Sequence, residues 1–424
     1  MNFWQWPIIR TPLNGHAFVA IFFLLAGYNN ALKPIKTARE GNPQAAASDL
    51  MASAFRKTFR FVLPTMCAQV IIWLVAELGY YDMAARISEG EGWLGFTSPK
   101  ASATWVQAFK NLLWSWYSLW VSGECLYDRN YWAMLQLLKA SFMVYVMLLI
   151  TLRCAPRYRM MLCAGMYIYC WMCDDCKLRD TLRKLGANGT TARIGLNVYA
   201  GIFLAELSMA FPLPNAESSS SFRDQAHYIL PLILAFFAVL TMGHPSEKDH
   251  FAMWTRMYKK LAVHIFPTGA DYHYFWCTIG EQMLMVSIMF SADLQKILSH
   301  PIMLWLGRIS FAIYLLHGFI VRTFMLWLLY GLREPIWLYS KDNAGNVDEA
   351  WEALPNPHGW MYPVCFAVTF ALLLFLSHIF TEYVEQFCAF VTRKLEEVTC
   401  PQSAKSAKVA DMFEKGLPKP NGLE

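Results

Sequence analysis

Apolar residues run along this chain in blocks of about twenty, the length that crosses a bilayer as a helix. Nine such blocks are predicted, at about 15–32, 61–80, 131–152, 157–173, 194–211, 227–243, 275–292, 306–330 and 360–381. Between the second and third lies a mixed stretch in which Trp105 to Val121 carries Trp105, Trp114, Trp116, Tyr117 and Trp120. Its polar content and tryptophan load predict a helix lying in the membrane interface rather than spanning. Polar punctuation separates the blocks. Residues 212–221 read as a turn-rich connection, and 331–359, with Pro335, Asn343, Gly345, Pro355 and Pro357, as an extramembrane loop. The expected architecture is all-α, a polytopic helical bundle forming one domain over 1–395. A tail without stable structure follows over 396–424, rich in Lys, Pro, Ser and Gly.

Composition agrees. Hydrophobic residues make up 56% and charged residues 16% of the 424. Several soluble globules of this total length would need more charge at their surfaces, where about 25% is usual. The net charge of +5 is too mild, and no basic run long enough, for a nucleic-acid partner. Weighting the basic residues beside spans places the C-terminus in the cytosol. The 11 cysteines are odd in number and scattered through apolar stretches, so they read as small buried hydrophobes rather than a disulfide framework. Cys170, Cys173 and Cys176 have metal-like spacing but no paired second half, and no metal site is expected.

In so apolar a chain the few charges inside spans carry the information, because each costs about 2.5–3.5 kcal/mol to insert. His317 lies deep in the eighth block, with Arg322 five residues on; Glu206, Glu281 and Lys139 also fall within blocks, and His16 and His378 at block ends. Glu206 and Glu281 are expected to pair with Arg322 or Lys139, and Arg322 and Lys139 also suit snorkelling to an interface. His317 has no local partner in the sequence, and a neutral imidazole is the usual acceptor of an alcohol proton. Arg56 and Arg60, four apart before Pro64, form a basic face suited to phosphate or to lipid head groups.

Four stretches together resemble the acyltransferase 3 family of multispan membrane acyltransferases, its fungal branch above all. They are Gly15-His16 through Gly27-Tyr28, Phe55-Arg56 through Arg60 to Pro64, Phe203-Leu-Ala-Glu206-Leu, and Leu306-Gly307-Arg308 through Tyr314 to His317-Gly318. Their order and spacing fit the family over about 10–390. The resemblance implies transfer of an acyl group, acetyl above all, from acyl-CoA to a hydroxyl of a small molecule such as a fungal secondary metabolite. It assigns His317 as proton acceptor, with His16 as a second candidate. Arg308 would act at the carbonyl, Glu206 would orient a cation or histidine, and Arg56 and Arg60 would hold donor phosphates. Its partners are then the acyl-CoA donor, a hydroxylated acceptor and the lipid bilayer; the endoplasmic reticulum is the expected membrane.

The chain also departs from the pattern. An additional first span with an Arg and a His is expected in relatives and is not found ahead of Trp4. Leu137 stands where the family has a carboxylate, Ala26 where it has Ser, and Phe387 where it has Pro. Two other readings follow: a membrane transporter or exporter using intramembrane His and Glu as a proton relay, or a catalytically silent relative.

Overall fold

The computed structural model describes residues 6–85, 87, 97–172, 189–211, 222–246, 252–267, 270–331, 333–334, 336–341, 347–355 and 357–399. The 212–221 connection, Cys173, Cys176 and almost all of the expected tail lie outside the described residues. The main helices are α1 (Gly15–Arg39), α2 (Pro43–Glu77), α3 (Trp105–Val121), α4 (Trp132–Thr151), α5 (Pro156–Met172) and α6 (Gly189–Ala210). They continue as α7 (Phe222–Met242), α8 (Met253–Ile265), α9 (Tyr272–Phe290), α10 (Ala292–Leu298), α11 (Pro301–Ile320) and α12 (Met361–Ile379).

A helix thus occupies each of the nine apolar blocks, and α3 matches the tryptophan-rich segment. The count of nine spans is not reached, however. Among the described residues five helices are long and apolar enough to cross a membrane, or six if α9 and α10, bent by 100° at their junction, form one broken span. The others fall short for visible reasons. Helix α5 has 17 residues and opens on Arg157 and Arg159. Helix α6 carries Arg193, Asn197 and Glu206. The apolar part of α7 is only Ile229–Met242. Five long apolar helices make the chain compatible with a membrane protein.

Among the described residues the fold is all-α apart from one hairpin within the expected 331–359 loop and an isolated bridge between Ile87 and Leu354. Strands β1 (Ile336–Lys341) and β2 (Val347–Ala353) pair antiparallel, with Ile336 opposite Ala353 and a register shift after Ser340. The run Ile336-Trp-Leu-Tyr339 is rich in the residue types that suit a pleated strand, which the nearby Pro and Gly had masked.

The chain divides into two compact units, Met1–Lys57 with Gln136–Met303, and Thr58–Leu135 with Leu304–Glu424. In the first unit α1 packs on α6 and α7 on α9. Lipid offers no hydrophobic drive between helices, so close backbone contact through small residues must supply the adhesion. Gly27 on α1 meets Gly201 on α6: a Cβ at Gly27 would lie 2.5 Å from the Val198 carbonyl oxygen. Asn14 fastens the entry to α1, donating through its amide to the Met242 carbonyl at 2.6 Å.

In the second unit α3 buries Ala108, Leu112, Ser115 and Leu119 and exposes Trp105, Phe109, Leu113 and Tyr117. The Trp73 indole donates to the Ala108 carbonyl at 3.1 Å. Two of the unit's helices contain a π-helical turn. Val321–Met325 follows α11 and leads into Leu326–Tyr330. Phe380–Glu385 follows α12 and leads into Gln386–Thr399, so the chain is helical through the first four residues of the expected tail. Such turns insert a residue into an α-helix and recur at functional sites.

Cysteine usage is as expected among the described residues. Eight are free; Cys125, Cys163, Cys170, Cys277, Cys365 and Cys388 are buried, Cys67 is half-buried and Cys154 exposed.

Candidate functional site

The second unit gathers His317, Arg322, Tyr314 and Gly318 of α11 and its π turn around a residue that the sequence did not single out, Asp128. His317 Nδ1 lies 2.8 Å from the Tyr314 carbonyl oxygen. A carbonyl only accepts, so Nδ1 carries a proton, and in the neutral ring Nε2 is the nitrogen with the lone pair. Asp128 is buried and caps the short turn Arg129–Tyr131, accepting from the Asn130 N–H at 3.0 Å. Its Oδ1 faces Arg322 Nη1 at 3.5 Å. Its Oδ2 has no hydrogen-bond partner among the described residues. Burial pushes the Asp128 carboxyl above the ordinary range, while the Arg322 charge, the Asn130 N–H and the His317 imidazole pull it back.

Backbone anchors hold this arrangement. The Tyr131 hydroxyl donates to the Leu315 carbonyl at 2.8 Å, and the Tyr314 hydroxyl donates to the Asn130 carbonyl. Gly318 admits the loop against the helix: a Cβ there would lie 2.5 Å from Asn130 Nδ2 and collide with the Asp128 carboxylate. Arg322, expected at an interface or beside a glutamate, is instead buried against Asp128.

A second group in the same unit joins two of the expected arginines. Arg308 pairs with Glu382 at 2.7 Å and remains half-exposed. Arg60 and Arg308 both lie near enough to Glu385 for their charges to act on it, and Thr381 Oγ1 donates to that carboxylate at 3.1 Å. Glu382 and Glu385 both come from the second π turn. Arg56 belongs to the first unit, where its charge acts on Tyr145.

The first unit holds the other expected residues. Glu206 is fully buried, but its partners are Arg39 and Arg159, not Arg322 or Lys139. Each arginine takes one carboxylate oxygen. Arg159 also donates to the Thr151 carbonyl at 3.1 Å and the Cys154 carbonyl at 3.1 Å, closing the end of α4. Lys139 is exposed. Glu281 is fully buried, and neither carboxylate oxygen has a hydrogen-bond partner among the described residues. His378 is half-buried, its ring 6.2 Å from Trp305 in the second unit.

His16, at the exposed start of α1, meets His273 edge to face with ring centroids 5.3 Å apart. His273 Nδ1 lies 2.7 Å from the His244 carbonyl oxygen, so its Nε2 also keeps a lone pair. Among the described residues no group of His, Cys, Asp and Glu is set to hold a metal ion.

A stretch of 114 residues is 31% identical to the O-acetyltransferase PaAT-1 of Phomopsis amygdali, covering 27% of this chain. The match takes in 22% of that protein's length. No family model matches the chain. No solved structure matches it either.

Proposed function

We propose that this protein is a multi-pass membrane O-acyltransferase. It would move an acyl group, acetyl above all, from acyl-CoA to a hydroxyl of a small molecule of the fungal secondary-metabolite kind, at the endoplasmic reticulum membrane. The observation that carries the reading is His317, whose tautomer leaves Nε2 as a base beside the buried Asp128 carboxylate. The partial similarity to an O-acetyltransferase supports the same chemistry.

The acceptor hydroxyl gives its proton to His317 Nε2 as its oxygen bonds to the thioester carbonyl carbon. The carbon–sulfur bond then breaks, and the CoA thiolate takes the proton from the imidazolium. The Tyr314 carbonyl holds the Nδ1 proton, and Asp128, near enough for charge to act between it and His317, favours that imidazolium. Arg60 is exposed and Arg308 half-exposed, so both guanidinium groups are within reach of donor phosphates, which would displace Glu385 and Glu382. Arg56, one turn before Arg60 on α2, extends the basic face. Glu206, with both oxygens engaged by arginine, acts as a positioning residue, and His16 with His273 is a reserve base.

Purified full-length protein, given acetyl-CoA and a panel of alcohols, is expected to release free CoA and ester. His317→Ala is expected to lower turnover by ~10²–10⁴-fold, the usual worth of a general base, with thermal unfolding unchanged. Wild-type turnover in that variant would remove His317 from the mechanism. Arg60→Ala with Arg308→Ala is expected to raise KM for the donor and leave KM for the alcohol alone; an unaltered donor KM would refute the phosphate role.

A further inference from the structure

The second unit contains a cavity of about 550 Å³ between the end of α2, the turn that follows it, and the helical stretch from Phe319 to Trp327. That volume is in the range of small-molecule sites. Four aromatic residues line it, Tyr80, Phe319, Phe324 and Trp327, of which Tyr80 and Trp327 are exposed. Among the described residues Asp82 is the single charged one in the lining, and it too is exposed. Its carboxylate rests on the wall of the cavity, over a residue without a side chain. Gly79 also lines the cavity and has a φ of +80°, and Asp82 Oδ2 lies 3.2 Å from the place a Cβ on Gly79 would take. No ion pair or hydrogen bond engages that carboxylate among the described residues. The Thr323 hydroxyl, by contrast, already donates to the Phe319 carbonyl at 2.8 Å.

We propose that this cavity binds an organic cation, an alkylated ammonium on a hydrocarbon body, with its charge beside Asp82 and among the aromatic rings. Each part of the description has its own cause. No basic residue in the lining answers the carboxylate, so the cavity favours positive charge and disfavours anions. Aromatic faces are electron-rich and attract cations, quaternary ammonium groups above all. Apolar walls cannot replace the water of a small, strongly hydrated ion such as sodium, whereas an alkylated ammonium gives up its water at little cost. The inference concerns binding alone, at residues that none of the proposed transfer steps uses, and does not depend on acyl transfer.

The test is equilibrium dialysis of the full-length protein in a non-ionic detergent against radiolabelled benzyltrimethylammonium, with empty micelles as the blank. Saturable binding is expected, displaced by choline and not by neohexyl alcohol, in which carbon replaces the nitrogen of choline. Asp82→Asn is expected to weaken binding ~5-fold, the worth of one exposed charge pair. Asp82→Lys is expected to abolish it. Trp327→Leu is expected to weaken it ~2–5-fold, the worth of one exposed cation–π contact. Displacement by glycerophosphocholine equal to that by choline assigns the ammonium to a lipid head group, its phosphate left outside; displacement by choline alone assigns it to a free amine. No saturable binding, or equal displacement by neohexyl alcohol, would overturn the proposal, and wild-type affinity in Asp82→Lys would overturn the site. Because no turnover is measured, failure here leaves His317 chemistry standing, and inactive His317 leaves this result standing.

Discussion

Two buried carboxylates, one in each unit, meet arginine in different ways. Glu206 has an arginine on each oxygen, and one of the two, Arg159, is itself bonded to backbone carbonyls at the end of α4. Both carboxylate oxygens of Glu206 are used. Asp128 faces one arginine, at the longer distance of 3.5 Å, and keeps an oxygen unpartnered among the described residues. The first arrangement is a clamp whose carboxylate has no oxygen left to offer a substrate. The second is incompletely satisfied and lies beside an imidazole with a lone pair. Burial is common to both carboxylates, and completeness of pairing is what separates them.

Breaking the clamp should have the largest effect. Glu206→Ala is expected to cost ~3–5 kcal/mol, because it strands a buried guanidinium; thermal unfolding in detergent measures it. A wild-type midpoint would mean that Glu206 is no clamp. Gly318→Ala comes next, at ~1–3 kcal/mol for overpacking, as the new methyl meets Asp128 and Asn130. Its turnover should fall further than its stability, since the carboxylate is displaced from His317.

Asp128→Asn tests the sign of the titration. A carboxyl raised by burial holds its proton more tightly in the folded state. Its contribution is therefore complete below the ordinary carboxylate range and is lost as pH rises through the raised value. Wild-type stability relative to Asp128→Asn should fall over that window, by denaturant unfolding at stepped pH; a rise would reverse the assignment. The smallest effect belongs to Glu281→Gln. With no partner to strand, it should leave stability unchanged or slightly higher, and a loss above ~1 kcal/mol would reveal an interaction.

Much of this was legible along the chain. Apolar blocks located the helices, because a bilayer or a core imposes the same twenty-residue signature. The tryptophan face of α3 was readable for the same reason. Span number was not, since a helix such as α6 hides Glu206 only through partners more than forty residues away in sequence. Arg39 and Arg159 looked like ordinary basic residues at segment ends. Asp128 lay in Leu126-Tyr-Asp-Arg-Asn130, a loop with no motif, and only the fold brings it to Gly318. His244 and His273 were likewise at segment edges, and no local spacing links them. His317 and Arg308 were found through a motif, yet their partners were not.

The two π turns give the second unit an unusual dependence on residue count. Arg322 lies in one, Glu382 and Glu385 in the other. Removing one residue from either turn would close it to a plain α-helix, because the wide turn absorbs the extra residue. The flanking helix would keep its faces, while the side chains of the turn itself would move around the axis. Insertions and deletions at these two places therefore adjust the site locally, a route by which relatives could be retuned without replacing a single charged residue.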